Sequence, residues 1–182
     1  MFRKIEYLNS GNNEQRRVYK TIINLEILND LSDYSPVLCG TFPIGINIES
    51  SDLDIILEVT DFEYFEKKVR TLYGDKENFI LKKLSIRNFK VIKANFNYEG
   101  FEFELFGQFQ PVYRQFAFLH MIIEQNLLEE NPSLRQEVIR LKQNGLKTEP
   151  AFCEILEIKG DPYENLIKFG IAKGIIDKQV LL

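Results

Sequence analysis

The order of hydrophobic patterns along the 182-residue chain predicts an α+β fold. A helical pattern opens the chain, strand patterns with one inserted helix follow, and only helical patterns come after Gly107. We expect a mixed β-sheet flanked by helices over residues 1–112 and a helical C-terminal half over residues 113–182. Hydrophobic residues make up 45% of the chain, which is enough for the two regions to pack as one compact unit.

The spacing of apolar residues places the individual elements. Helical spacing predicts helices over residues 12–31, 61–74, 114–129 and 131–145, and short helices that open at Thr148 and Asp161. Strand patterns occupy Val37–Cys39, Asp52–Val59 and most of residues 79–107. The continuous run Ile55-Ile56-Leu57 indicates a strand buried on both faces. Asn131-Pro132 supplies a cap and a first-turn proline for the fourth helix.

The clearest strand pair is a hairpin that turns at Glu99-Gly100. A two-residue loop there pairs Tyr98 with Phe101 and fixes the register of both strands. One face of this hairpin is then apolar. The opposite face carries Lys93, Asn95, Asn97, Glu102, Glu104 and Phe106. Glu104 lies deeper in the sheet than Glu102, which sits beside the turn.

The segment that joins the first two strands carries the candidate site. Gly40-Thr41 follows the first strand, Gly45 comes five positions later, and Asp52 and Asp54 open the second strand. Because side chains alternate along a strand, both aspartates point to one face, about 7 Å apart. A glycine turn offers backbone N–H groups to phosphate, and paired carboxylates suit a divalent cation. The segment therefore predicts a site for metal and phosphate.

A third carboxylate is available on the hairpin, from Glu104 or from Glu102. Three carboxylates around one point can hold two Mg²⁺ ions about 4 Å apart, which activate an attacking hydroxyl and stabilise a leaving pyrophosphate. The residues thus predict a metal-dependent phosphoryl or nucleotidyl transfer site. We favour Glu104 as the third carboxylate because of its deeper position, with Glu102 as the alternative.

These residues resemble the signature of the nucleotidyltransferase superfamily, which has a polymerase β-like palm. The signature is a glycine and a hydroxyl residue, a second glycine, then Ser-Asp-x-Asp and an apolar residue, matched here by Gly40-Thr41, Gly45 and Ser51-Asp52-Leu53-Asp54-Ile55. The order of helices and strands around it extends the resemblance loosely over about residues 12–107. Later segments resemble an uncharacterised bacterial branch known as a domain of unknown function: FELFGQ (103–108), Gln115, His120-Met121 and GLKTEPAFCEIL (145–156).

The resemblance implies a nucleotidyltransferase-like fold and a transferase that uses Mg²⁺, with two ions expected and Mn²⁺ as an alternative. It implies that Asp52 and Asp54 ligate metal. Glu104 would be the third ligand and would help to deprotonate the acceptor hydroxyl. The residues expected to bind the nucleoside triphosphate or other substrate groups are Gly40, Thr41, Gly45, Ser51, Lys93 and His120.

The sequence departs from the superfamily pattern in three places. Thr41 replaces the usual serine but keeps the hydroxyl group. Phe42-Pro43-Ile44 occupies a segment that often carries basic residues, so this segment gives the phosphates no cationic side chain. A glutamate also stands where the superfamily usually has its third aspartate.

Several polar residues have a structural interpretation beside the functional one. His120, the only histidine, is either a packed residue or an acid–base group in the substrate cleft, with Glu124 one turn away to orient it. Lys93 is either a charge partner of Glu104 or a phosphate contact. Glu149 is either a favourable charge at a helix start or a ligand contact from the C-terminal half.

Composition limits the partners. The net charge of −4 argues against a general nucleic-acid binder, although a local basic patch for a small anion remains open. The densest basic cluster is predicted to be a solvated sheet edge, with binding of an anionic partner as the alternative; it comprises Lys82, Lys83, Arg87 and Lys90. Cys39 and Cys153 lack metal-ligand spacing and are expected to be buried thiols. We expect a cytoplasmic protein with no membrane partner, since no apolar leader or membrane-length run is present.

Three functions remain in competition. The first is an enzyme that transfers a nucleoside monophosphate to a hydroxyl of an unknown small-molecule or protein acceptor. The second is a non-catalytic nucleotide- or protein-binding module, used like an antitoxin, which the missing basic residues after Gly40-Thr41 favour. The third is a metal-dependent phosphohydrolase, which the presence of a single histidine disfavours.

Overall fold

One mixed sheet forms the centre of the molecule in the computed structural model, which describes residue 2 and residues 4–181. The strands are β1 (Val37–Cys39), β2 (Leu53–Glu58), β3 (Glu77–Ile86), β4 (Phe89–Tyr98) and β5 (Phe101–Gln108). Their order across the sheet is β1-β2-β5-β4-β3. β2 and β5 run parallel, and the other neighbouring strands run antiparallel.

Helices cover the sheet and form the C-terminal half. The α-helices of the described residues are α1 (Glu6–Asn9), α2 (Asn13–Leu25), α3 (Ile27–Asp30), α4 (Thr41–Ile44), α5 (Phe62–Tyr73), α6 (Phe116–Glu130), α7 (Leu134–Gln143), α8 (Thr148–Ile155) and α9 (Pro162–Ala172). None of them combines the length and the apolar character needed to cross a membrane. The predicted α+β architecture, a mixed sheet with a helical C-terminal half, is confirmed.

Two predicted helix boundaries are wrong. The helix expected over residues 12–31 is divided at Glu26, whose φ of 56° lies in the left-handed region and breaks the helical path. The helix expected to begin at Asn131-Pro132 begins at Leu134. The Asn131 side chain instead accepts hydrogen bonds from the backbone N–H and the hydroxyl of Ser133, at 3.3 and 2.6 Å, which holds these residues in a turn before α7.

The sheet separates two hydrophobic cores. Leu53, Ile55 and Leu57 of β2 face the core that also contains apolar residues of α2 and α5. Ile56, on the opposite face, packs into the core formed with the C-terminal helices. Since side chains alternate along β2, Asp54 lies on the same face as Ile56. The candidate site is therefore covered by α6–α9.

The registers of the strands bring the carboxylates together. The hairpin pairs Tyr98 with Phe101, as predicted from its turn. The parallel pairing of β2 with β5 sets Asp54 directly opposite Glu104. Neighbouring strands are about 4.8 Å apart, so these two side chains leave the sheet side by side.

Candidate functional site

Three carboxylates converge at the edge of β2 and β5. One oxygen each from Asp52, Asp54 and Glu104 lie within 4.8 Å of one another, and all three residues are partly buried. Asp54 and Glu104 are cross-strand neighbours, and Asp52 immediately precedes β2. Carboxylate oxygens at such separations fit hard divalent cations such as Mg²⁺ and Mn²⁺.

Of the two hairpin glutamates, the structure brings only Glu104 to the aspartates. Glu102 is exposed and accepts a hydrogen bond from Nδ2 of Asn95 at 3.0 Å. It pairs with Asn97, two residues nearer the turn than Glu104. Glu104, which lies deeper in the hairpin, is therefore the glutamate that reaches the aspartates, and Glu102 lies nearer the turn and away from them.

The triad holds more negative than positive charge. Burial raises the pKa of Asp54 well above its usual range, and the charges of Asp52 and Glu104 raise it further, while Lys93 lowers it. The Lys93 ammonium lies 2.5 Å from Oε2 of Glu104, so Lys93 acts as the charge partner of Glu104 in this structure. A divalent cation would relieve the repulsion that remains among the three carboxylates.

Gly40 permits the close approach of Asp54 to the preceding loop. Its φ is 75°, and a Cβ atom at this position would lie 2.2 Å from Oδ2 of Asp54. Any side chain here would therefore displace the carboxylate. Gly40 and Thr41 line a cavity of about 470 Å³ together with the triad, and we call it the glycine-side cavity.

Gly45 and Ser51 support the loop around this cavity in different ways. Gly45 has a φ of 68° and is not among the cavity-lining residues; a Cβ there would lie 3.0 Å from Nη1 of Arg135. Arg135 donates hydrogen bonds to the carbonyl oxygens of Ile44 and Gly45, the latter at 2.9 Å. Ser51 lines the cavity, and its Oγ accepts a hydrogen bond from the Ile48 backbone N–H at 2.9 Å.

Lys142 and Lys147 line the glycine-side cavity and were missed by sequence reasoning. Lys142 is only 6% exposed, and its ammonium donates to the carbonyl oxygen of Ile46 at 2.8 Å. Burial lowers its pKa to about 8, although nearby carboxylates oppose this shift. The sequence did hold a signal, because Lys142 follows the buried Val138 by one helical turn and so lies on the inward face of α7.

His120 has partners on both ring nitrogens. Nε2 lies 2.8 Å from the carbonyl oxygen of Tyr163, which can only accept, so Nε2 carries a proton. Nδ1 lies 3.2 Å from Oε1 of Glu149, and a proton must lie between these two atoms. Burial alone would raise the pKa of Glu149, but the hydrogen bond and charge of His120 outweigh it and hold this pKa below its ordinary value. The hydrogen-bonded pair of His120 and Glu149 therefore forms part of the cavity wall.

Glu124 does not orient His120 as predicted. Glu149, on the first turn of α8, takes that place, with its Oε1 3.2 Å from Nδ1 of His120. Glu124 is 3% exposed, its Oε1 has no hydrogen-bond partner in the described part of the chain, and burial raises its pKa well above the usual range.

Comparison with known sequences identifies the family. Residues 20–169 match the domain of unknown function DUF4269, which is more than half of the chain. The chain belongs to the DUF4269 family. No curated protein matches this DUF4269 chain.

Solved structures share the fold of this DUF4269 domain at low sequence identity. Cid1 poly(U) polymerase with bound MgGTP superposes with a TM-score of 0.53 and 15% identity, over 75% of this chain and 45% of that one. A chain of the GLD-2/RNP-8 complex superposes with a TM-score of 0.57 and 13% identity, over 95% of this chain and 71% of that one. The polymerase core of TRAMP, an RNA surveillance complex, superposes with a TM-score of 0.53 and 14% identity, over 97% of this chain and 57% of that one. The DUF4269 chain thus spans less than half of the Cid1 chain, and the likeness shows a nucleotidyltransferase-like fold.

Proposed function

We propose that this DUF4269 protein is a Mg²⁺-dependent nucleotidyltransferase that moves a nucleoside monophosphate from a nucleoside triphosphate to an acceptor hydroxyl. The observation that carries the proposal is the convergence of Asp52, Asp54 and Glu104 within 4.8 Å, in a cavity that is also lined by three lysines. The fold shared with a poly(U) polymerase that binds MgGTP supports it. The proposal places the protein in the cytoplasm, where nucleoside triphosphates and Mg²⁺ are available.

Each group in the site has a role in this reaction. Asp52, Asp54 and Glu104 would hold the metal, which when bound neutralises charge on the phosphates. Lys142 and Lys147 line the cavity on the glycine side and supply the cationic side chains that Phe42-Pro43-Ile44 lacks. Glu104 accepts the proton of the acceptor hydroxyl as the new bond to the α-phosphorus forms and pyrophosphate leaves.

The competing function is a non-catalytic nucleotide-binding module. The ion pair between Lys93 and Glu104 favours it, because a lysine at 2.5 Å already neutralises the third carboxylate. A binding module of this kind would bind nucleotide without metal. Calorimetry with nucleoside triphosphates, with and without Mg²⁺, therefore separates the two functions.

The decisive activity test is transfer of label from α-³²P nucleoside triphosphates to components of a cell extract, with Mg²⁺ or Mn²⁺. We expect Asp54→Asn and Glu104→Gln to lower transfer by about 100-fold or more, since even residues that only orient metal ligands contribute about 10–100-fold. Glu102→Gln is the matched control and should keep wild-type transfer. Absence of transfer with every nucleotide, or full transfer by Asp54→Asn, would rule the enzyme out.

A further inference from the structure

A second cavity adjoins the carboxylates but is not lined by Gly40 or Thr41. It has a volume of about 440 Å³, and we call it the aromatic cavity. The residues that line both this cavity and the glycine-side cavity are Asp54, Glu104, Ala117, His120 and Glu149. The carboxylates Asp54 and Glu104 therefore lie at the boundary between the two spaces.

Four aromatic side chains form part of the lining of this second cavity, beside polar and charged residues. They are Phe89, Phe106, Phe116 and Tyr163, joined by Ile56 and Ile86. Phe89 is 38% exposed, so part of its side chain is accessible to a molecule in this cavity. Such a lining suits a flat apolar molecule, because aromatic rings pack best in offset or edge contacts with other flat groups.

Arg87 places a positive charge at the mouth of the aromatic cavity. It lies in the two-residue turn between β3 and β4, where Arg87 and Asn88 both have positive φ, 48° and 65°. Positive φ is uncommon for a long side chain such as arginine. In this conformation the guanidinium carbon lies 4.5 Å from the ring centroid of Phe116 and 5.9 Å from that of Tyr163.

Two further polar groups on the cavity wall lack partners within the described residues. Nε of Arg114 is buried without a hydrogen bond, and neither Arg114 nor Arg87 takes part in an ion pair there. Gln115 is 1% exposed; its Nε2 donates to two backbone carbonyls at 3.0 Å, while its Oε1 has no donor. Both atoms are buried within the wall, so it is the exposed guanidinium of Arg87 that provides a positive charge able to contact an anion in this cavity.

We propose that the aromatic cavity binds the acceptor, and that the acceptor is a small hydroxylated molecule with a flat apolar body and an anionic group. This inference rests on the proposed nucleotidyl transfer. In-line displacement places the attacking oxygen opposite the leaving pyrophosphate. With the triphosphate in the glycine-side cavity, the attack comes from the aromatic cavity. The acceptor oxygen then bonds to the α-phosphorus, the bond to the bridging oxygen breaks, pyrophosphate takes the electron pair, and Glu104 takes the hydroxyl proton.

Size and charge favour a small acceptor over a polynucleotide. A cavity of about 440 Å³ is within the range of about 300–1,000 Å³ that holds small molecules. A polynucleotide needs a continuous basic track, whereas this chain has a net charge of −4 and places Asp54, Glu104 and Glu149 along the boundary of the cavity.

Saturation-transfer NMR on the full chain with Mg²⁺ tests the inference with two probes. 4-Hydroxyphenylacetate carries the ring, hydroxyl and anion, and tyramine carries a cation instead. We expect the anionic probe to bind at least about fivefold more tightly than tyramine, both with and without a saturating α,β-methylene nucleoside triphosphate. Asparagine tolerates a positive φ, so Arg87→Asn should keep the turn and weaken the binding of the anionic probe at least about fivefold. Arg17→Asn is the matched control: it removes a guanidinium that lies 5.1 Å from the Phe101 ring, outside the aromatic cavity. The binding of both probes should stay as in wild type.

Three results would overturn the inference: equal binding of the two probes, unchanged binding to Arg87→Asn, or competitive displacement of the anionic probe by the triphosphate analogue. Displacement by a 15-nucleotide RNA that is lost in Arg87→Asn would also overturn it, in favour of a polymeric acceptor. The measurements without nucleotide test whether the aromatic cavity binds the anionic probe, even if the triphosphate analogue fails to bind. Failure of the analogue to bind would count against the proposed function alone.

Discussion

Asp54 lies between two other carboxylates, Asp52 and Glu104, and directly beside the backbone of Gly40. Burial and these charges raise its pKa in the folded protein above the value of about 3.9 expected in the unfolded chain. The unfolded chain therefore releases this proton at a lower pH. As pH rises above about 3.9, Asp54 lowers the free energy of unfolding. This loss of stability grows with pH until the folded-state pKa of Asp54 is reached.

Replacing Asp54 with asparagine should therefore stabilise the metal-free protein at neutral pH. Each kcal/mol gained raises the melting temperature of a chain of this size by about 2–4 °C. In calorimetric scans with EDTA, Asp54→Asn should melt above wild type. Addition of Mn²⁺ should stabilise wild type and leave the variant unchanged. Glu102→Gln, on the same face but away from the triad, should respond to Mn²⁺ like wild type.

A lower melting temperature for Asp54→Asn in EDTA would contradict the repulsion inferred among the carboxylates. An equal response of the variant to Mn²⁺ would show that metal binds elsewhere.

Residues close together in sequence were accessible to prediction. Gly40, Asp52 and Asp54 lie within one short segment, and strand alternation alone puts the aspartates on one face. Lys142 reaches the same cavity from a helix about a hundred positions later, and its role depends on how α7 packs. The Glu149–His120 pair was missed for the same reason, since a local i,i+4 argument favoured Glu124.

At the scale of elements, α7 anchors the loop that follows β1. Arg135 donates to the carbonyl oxygens of Ile44 and Gly45, and Lys142, two turns later, donates to that of Ile46. These bonds satisfy carbonyl groups at the end of α4 that have no helical partner. The helical half therefore fixes the position of the segment that directly follows Gly40 and Thr41.

Substituting Arg135 with methionine should loosen this loop. Loss of charge-assisted hydrogen bonds should cost about 1.5–3 kcal/mol, and hydrogen exchange of the amides over residues 41–47 should accelerate. Arg140→Met is the matched control, because Arg140 is on the same helix, is 66% exposed and, among the residues that the structure describes, has only Glu137 as an ion-pair partner, at 3.9 Å. Equal exchange rates in the two variants would show that Arg135 does not hold the loop.

Local turns were predictable at this scale, and long-range pairings were not. The Glu99-Gly100 turn determined the β4–β5 register because the two strands are adjacent in sequence. The parallel pairing of β2 with β5 spans α5, β3 and β4, and no local signal specifies it. The break in the first helix at Glu26 also went unpredicted, since no glycine or proline marks it.

At the scale of the whole molecule, the sheet is shared by both regions of the chain. Val37, Cys39 and Ile56 of the sheet pack in the same core as residues of α6–α9. We therefore propose that residues 1–112 and 113–182 unfold as one unit, because separating them would expose one face of the sheet. Calorimetry should give equal calorimetric and van't Hoff enthalpies. Two separated transitions would show independent domains.

If Asp52, Asp54 and Glu104 bind the metal ions that accompany a nucleoside triphosphate, those ions should be visible in crystals grown with Mn²⁺ and an α,β-methylene nucleoside triphosphate. We expect anomalous diffraction to give Mn²⁺ peaks among the three carboxylates, two of them about 3.5–4 Å apart. We also expect the triphosphate to lie beside Gly40 and Thr41. Bound nucleotide with no anomalous peak at the carboxylates would show that these residues do not bind the metal.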